Sequence, residues 1–163
     1  MFLRTCLVVL ILFASSSLPL HAQNSQQIQM LKSAVNAGRD GDWDAGRSAL
    51  ANADSLMRDL FTWTRLRDGE GSFAEYQAFL AAHPDWPGLA RLRSRAEPNI
   101  EETVDAVQVA AWFETEDPDT GAGMLSYAKA LTELGRVSEA NAYLAKAWVS
   151  VGMDEDEHNA LID

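Results

Sequence analysis

From Ile28 to Ala147 the apolar residues of this 163-residue chain recur at three- and four-residue steps, and no stretch alternates apolar with polar at a step of two. That spacing is the repeat of an α-helix, in which residues three and four apart share a face. Ala and Leu are abundant while Val, Ile and Thr are sparse, which favours helix over strand. The expectation is an all-α protein.

Capping residues and breakers divide the pattern into seven or eight helices. A first runs from about Ser25 to Ala37, with Ile28, Leu31 and Val35 on one face and Gly38 as its stop. A second starts after Asp42, a good N-cap, and carries Trp43 and Leu50 to about Asn52. Asp54 caps a third, in which Leu56, Leu60, Trp63 and Leu66 repeat as far as Gly69. Ser72 opens a fourth, and Glu75 three residues on completes a capping-box pattern ahead of Tyr76, Phe79 and Leu80. The run His83-Pro84-Asp85-Trp86-Pro87-Gly88 must interrupt it, because each proline lacks a donor and disfavours helix in the residue before it. A fifth helix covers about Leu89 to Glu97 and stops at Pro98, and a sixth runs from about Glu101 to Phe113, before Asp117-Pro118. The seventh, about Thr120 to Leu134, and the eighth, about Val137 to Val151, pair around Gly135; Asp154 starts one more.

Short connections make consecutive helices antiparallel neighbours, so the elements are expected to stack as hairpins. Ala128, Leu131, Gly135, Ala140, Leu144 and Ala147 fall where a tetratricopeptide repeat places its packing residues. Gly41, Trp43 and Leu50 give a looser second match, and Gly71, Phe73 and Leu80 a third. The unequal intervals between these units predict an irregular α-superhelix of stacked helical hairpins, tetratricopeptide-like without being a regular array.

The first 22 residues read as an address. Arg4 supplies a positive start, Leu7 to Ala14 form an apolar run too short to span a bilayer, and small or polar residues follow to a cut after Ala22. A retained membrane anchor is the alternative, and the short run argues against it. Cys6 precedes the apolar run and is wrongly placed for lipid attachment. Removing 22 of the 163 residues leaves a 141-residue domain, 23–163, without a cysteine and therefore without a disulfide. The formal charge of −11 becomes −12 when Arg4 leaves. A chain this acidic is repelled by phosphate backbones, which argues against nucleic acid and anionic membranes as partners. The expected location is the periplasm, with no membrane span after cleavage.

Several groups of residues have side chains able to carry chemistry. Asp40, Asp42 and Asp44 imitate the opening of a calcium loop, but Ala45 stands where that loop needs glycine and Ala51 where it needs a bidentate glutamate. Asp154, Glu155, Asp156 and Glu157 suit the positive end of a helix and cannot all face one point. His83 and His158 lie far apart, with no partner at zinc-ligand spacing. No serine sits in a glycine-flanked elbow and no glycine-rich phosphate loop is present. Glu114 and Glu116 beside Trp112 and Phe113 come nearest to a protonated acid in an apolar setting, yet they share their run with Asp117 and Asp119. Trp43, Trp63, Tyr76, Trp86, Trp112, Tyr143 and Trp148 could stack on sugars, although helical spacing makes hairpin packing their better reading. No catalytic, cofactor-binding or metal-binding residue is assigned, and no cofactor is expected.

A resemblance rests on specific residues. Trp63, Leu66, Arg67, Phe73, Tyr76, Phe79 and Leu80, then Pro84, Trp86 and Pro87, then Leu92 and Glu97, resemble the N-terminal superhelical region of soluble lytic murein transglycosylases. Trp112-Phe113, Pro118, Gly123, Ala130-Leu131, Gly135-Arg136, Glu139-Ala140 and Ala147-Trp148 continue it, so that it covers about Trp43 to Asp163. The Pro-Asp-Trp-Pro turn between two amphipathic helices is its most specific element.

The resemblance implies a periplasmic enzyme in two parts, a helical superhelix and a C-terminal lysozyme-like domain. In that domain a glutamate, typically followed by serine, cleaves between N-acetylmuramic acid and N-acetylglucosamine and leaves an anhydro-sugar. This chain has no Glu-Ser pair, so no catalytic residue is carried over. The expectation is a non-catalytic scaffold portion, cut short at its C-terminus, whose partners are peptidoglycan or a C-terminal catalytic domain. The alternative is a stand-alone adaptor that binds a protein partner on its concave face.

Overall fold

The computed structural model describes residues 20–150, with side chains described over residues 24–148. The described residues form eight α-helices and one 3-10 turn, with no strand among them, so the all-α expectation holds. The helices are α1 (Leu20–Arg39), α2 (Trp43–Ala49), α3 (Ser55–Arg67), α4 (Phe73–Ala82), α5 (Leu89–Ala96), α6 (Ala106–Phe113), α7 (Gly121–Glu133) and α8 (Val137–Ser150), with the 3-10 turn at Glu97–Asn99.

Side-chain caps start five of them. Asp42 accepts from the Ala45 N–H at 2.8 Å, Asp54 from Met57 at 2.9 Å, Asp105 from Val107 at 2.8 Å and Thr120 from Gly123 at 3.0 Å. At α4 the full capping box forms: Ser72 Oγ accepts from the Glu75 N–H, and Glu75 Oε2 accepts from the Ser72 N–H at 2.9 Å. Each such cap stabilises its helix by about 1 kcal/mol. The end of α7 is equally defined. The Arg136 N–H reaches back to the Leu131 carbonyl at 2.8 Å and the Gly135 N–H to that of Thr132 at 3.0 Å, a pairing that requires the left-handed φ of 78° found at Gly135.

The boundaries depart from the periodicity at several helix ends, and α2 stops at Ala49 where the pattern carries it to about Asn52. α1 begins at Leu20 rather than Ser25, because nothing between Leu20 and Ser25 breaks a helix. It therefore runs through the expected cut after Ala22; of the leader, residues 1–19 lie outside the described residues. The fifth helix ends at Ala96, and Pro98 is accommodated by tightening Glu97–Asn99 into the 3-10 turn. α6 starts at Ala106 rather than Glu101, since the Val104 N–H closes a turn on the Glu101 carbonyl at 3.0 Å and the Asp105 side chain takes the Val107 N–H as a cap. The helix expected after Asp154 lies outside the described residues.

Three apolar clusters form the interior. Ala34, Leu50 and Phe61 bring α1, α2 and α3 together. Leu66, Phe73, Tyr76, Phe79, Leu92 and Ala96 join α3, α4 and α5, while Val109, Ala110, Phe113, Tyr127, Ala128, Ala130, Leu131 and Ala140 join α6, α7 and α8. The clusters are linked in order along the chain. α3 contributes Phe61 to the first and Leu66 to the second, and Ile100, Val104 and Trp112 pack against both the second and the third.

The second cluster contains a polar tie. Tyr76 is fully buried and its hydroxyl donates to the Leu66 carbonyl at 2.8 Å, fixing α4 to the last turn of α3. Tyr76→Phe keeps the ring and removes that donor, while the Leu66 carbonyl keeps the Gly69 N–H at 3.1 Å. We expect a loss of about 1–2 kcal/mol in chemical denaturation; an unchanged midpoint would show that the bond contributes nothing to stability.

Candidate functional site

The least exposed carboxylate in the described chain belongs to Glu97, at 3% exposure. α5 ends at Ala96 and delivers Glu97 to the start of α7. There Oε1 accepts from the Asp119 N–H at 2.9 Å, and Oε2 accepts from the Thr120 N–H at 2.7 Å and the Thr120 hydroxyl at 2.5 Å. The positive end of the α7 dipole also favours an anion at this point. Gly123 leaves the necessary room, since a β-carbon there would collide with the Glu97 carboxylate. Burial pushes the Glu97 carboxyl above its usual range, against the opposing pull of those three donors. Both oxygens are engaged by protein donors, so Glu97 is a helix cap supplied from a distant part of the chain, not an acid offered to a substrate.

The acids singled out in the sequence do other work. Glu116 lies on the surface and its Oε2 pairs with Arg93 Nε at 2.9 Å. Arg93 also donates to the Trp112 carbonyl at 2.8 Å and places its guanidinium 4.2 Å from the Trp112 ring centroid. Glu114 is exposed. Neither glutamate occupies an apolar cleft. Asp117 accepts from the Tyr143 hydroxyl at 2.7 Å and from Lys146 at 2.8 Å, and these two bonds hold its carboxyl below the usual range.

Asp42 spends its carboxylate on the α2 cap, and Asp44 pairs with Arg47 at 2.9 Å. The two therefore serve a helix start and not a common cation. Among the described residues, no three His, Cys, Asp or Glu side chains converge on a point. Asp154 to Glu157 and His158 lie outside them. His83 stacks between Phe79 and Trp86, at centroid distances of 4.4 and 4.8 Å, with Nε2 3.8 Å from Asp59.

The aromatic residues pack chiefly on one another. Trp86, carried by the Pro84–Pro87 turn, meets Phe79 edge-on at 5.3 Å and Trp63 at 6.3 Å, and the Trp63 indole N–H donates to the Pro87 carbonyl at 3.1 Å. Trp43 packs on Phe61 at 5.6 Å, Trp112 on Phe73 at 5.1 Å and Tyr143 on Tyr127 at 4.7 Å. Trp148 differs in being 52% exposed.

Clefts open on the surface of the described residues, two of them lined by charged side chains. One, of about 530 Å³, lies between residues 100–106, α6, α7 and α8 and is rimmed by Glu101, Glu102 and Glu133 with a single Lys129. The other, of about 620 Å³, is bounded by α2, α3 and α4 and is lined by Arg47, Arg58, Arg65 and Glu75 over Leu50, Phe61 and Phe79. Sequence reasoning missed this arginine group. Arg58 and Arg65 are seven residues apart, close to two turns, and so share a face of α3, but only the packing of α2 brings Arg47 beside them.

Arg65 is 8% exposed and turns both terminal nitrogens to Glu75, at 3.3 Å from Nη1 and closer from Nη2. Burial pushes the Glu75 carboxyl up, yet its bonds to Arg65 and the Ser72 N–H, with the charges of Arg65 and Arg47, bring it below its usual value. The capping-box glutamate of α4 is thus also the counter-charge for a buried arginine on α3. No protein-family model, no curated protein and no solved structure matches this chain. The site is therefore read from its geometry.

Glu97→Ala leaves two backbone N–H groups and a hydroxyl without their acceptor, and we expect a loss of roughly 3 kcal/mol in denaturant unfolding. The pH dependence has a definite sign. A carboxyl whose pKa is raised by folding binds its proton more tightly in the folded chain, so its contribution is greatest below the unfolded pKa and falls as pH rises through the usual carboxylate range to the folded value. Glu97→Gln lacks this slope. Its penalty relative to the wild type is expected to be larger near pH 4 than at pH 7, and a penalty that grows towards pH 7 would contradict the assignment.

Proposed function

We propose that this chain is the non-catalytic scaffold portion of a periplasmic lytic murein transglycosylase. In this reading it is an irregular, tetratricopeptide-like α-superhelix, exported by the leader at residues 1–22, that presents peptidoglycan to a C-terminal lysozyme-like domain. Cleavage between N-acetylmuramic acid and N-acetylglucosamine belongs to that domain.

The observation that carries the proposal is where the residues of the resemblance sit. Leu66, Phe73, Tyr76, Phe79 and Leu92 form the second cluster, with Trp63, Leu80 and Trp86 packed against it. Trp86 and Pro87 fix the joint between α4 and α5 through the Trp63 contacts. Glu97 and Gly123 meet at the start of α7. The residues that carry the resemblance are thus joints between helices, which suits a scaffold. Glu97, the most buried of the described acids, is closed off by protein donors and serves the framework.

A second reading, a stand-alone adaptor for a protein partner, draws on the exposure of Leu134 (40%), Val137 (51%) and Trp148 (52%) around the α7–α8 pair. Co-sedimentation of the full chain with purified peptidoglycan sacculi, combined with an assay for anhydro-muropeptides, separates the two. The scaffold reading expects the chain in the pellet and no anhydro-product. Failure to pellet favours the adaptor, and release of anhydro-muropeptides contradicts a non-catalytic role.

A further inference from the structure

We propose that the cleft bounded by α2, α3 and α4 binds a carboxylate carried on a small apolar body, the chemistry of a peptidoglycan stem peptide; the stem-peptide identity rests on the cell-wall reading above, whereas the carboxylate site does not. The chain carries a formal charge of −11, yet three arginines and one glutamate line this cleft. Arg65 is already matched by Glu75. Arg47 holds Asp44 at 2.9 Å on the surface, with 56% of its own side chain and 87% of that of Asp44 exposed, and stands 3.9 Å from Glu75. A pair so exposed is weak and exchanges readily for another carboxylate. Arg58 makes no ion pair with any described residue.

Two guanidinium groups are therefore available beside the exposed methyl groups of Ala51 and Ala78, over the buried side chains of Leu50, Phe61 and Phe79. A guanidinium offers a planar fork of donors that a carboxylate matches with two parallel bonds. The volume of about 620 Å³ is within the range of small-molecule sites. Glu75, 3.9 Å from Arg47, repels a second anion on its own side, which directs the ligand carboxylate first towards Arg58 and its apolar part towards Ala51 and Ala78. A glycan of neutral N-acetyl sugars gives these arginines no counter-charge, whereas a stem peptide carries free carboxylates next to short apolar side chains. The other cleft, with three glutamates to one lysine, repels such a ligand.

The test is titration of the full chain, followed by amide NMR, with four probes: a disaccharide tetrapeptide from peptidoglycan, chitotetraose, N-acetyl-alanyl-alanine and its C-terminal amide. We expect the muropeptide and the free-acid dipeptide to shift resonances of α2, α3 and α4, and chitotetraose and the amide to leave them unmoved. Arg58→Ala, at an exposed and unpaired position, keeps the fold and weakens binding about 10-fold, with Arg47→Ala acting in the same direction. Raising the salt concentration weakens binding as well. If neither acid binds, or if both variants bind as tightly as the wild type, the site is overturned. Binding of the dipeptide without the muropeptide overturns the stem-peptide assignment while the carboxylate site stands.

Discussion

The carboxylate of Glu97 is the contact on which the arrangement of the chain turns. It leaves the end of α5, crosses to the start of α7 and satisfies two N–H groups and a hydroxyl at residues 119 and 120. A buried carboxylate is stable only where donors replace the water it has lost. The half-buried N-terminus of α7 likewise needs an acceptor for its free N–H groups. Each solves the problem of the other. Because Glu97 follows the second cluster and α7 belongs to the third, this exchange fixes one half of the molecule to the other, alongside the apolar joint made by Ile100, Val104 and Trp112.

The Arg65–Glu75 pair repeats the principle at the junction of α3 and α4. Glu75 first closes the capping box of its own helix and then neutralises a buried arginine on the preceding one. That use of Arg65 leaves Arg47 and Arg58 as the polar edge of a cleft whose floor is the first cluster and Phe79. The framework and the proposed ligand site are thus parts of one packing solution. Arg47 moves with α2 and Arg58 and Arg65 with α3, and α4 is tied to them through Glu75, so the proposed ligand site is carried on helices.

Local features were legible in the sequence because they act within a turn or two. Asp42, Asp54 and the Ser72–Glu75 box are caps that reach three residues ahead, and all form as their spacing implies. The break at Pro84–Pro87 follows from the missing donors of proline, and the helix boundaries on either side of Gly135 lie close to where the pattern places them. What escaped is tertiary. Glu97 reads as the last residue of a helix before a proline, and its partners are 22 and 23 positions further on. Only a glycine at 123, two residues past the start of α7, hints that something packs there. The start of α6 was misplaced because residues 101–105 combine good helix formers with Asp105, and the cap won. The arginine cleft was invisible since Arg47 sits on a different helix from Arg58 and Arg65. Glu114 and Glu116, the acids nearest to an apolar setting in the sequence and not assigned a catalytic role there, lie at the surface.

The central claim is that a single buried carboxylate makes α5 and α7 parts of one rigid framework. Native-state hydrogen exchange of the Asp119 and Thr120 amides tests it most directly, because those two N–H groups have Glu97 as their acceptor. They are expected to exchange only with global unfolding, at the free energy shown by the core helix amides of Leu92 and Leu131. Exchange at the rate of an exposed loop, while those core amides stay protected, would contradict it: α7 would then be held by apolar packing alone, and Glu97 would be a bystander to the joint.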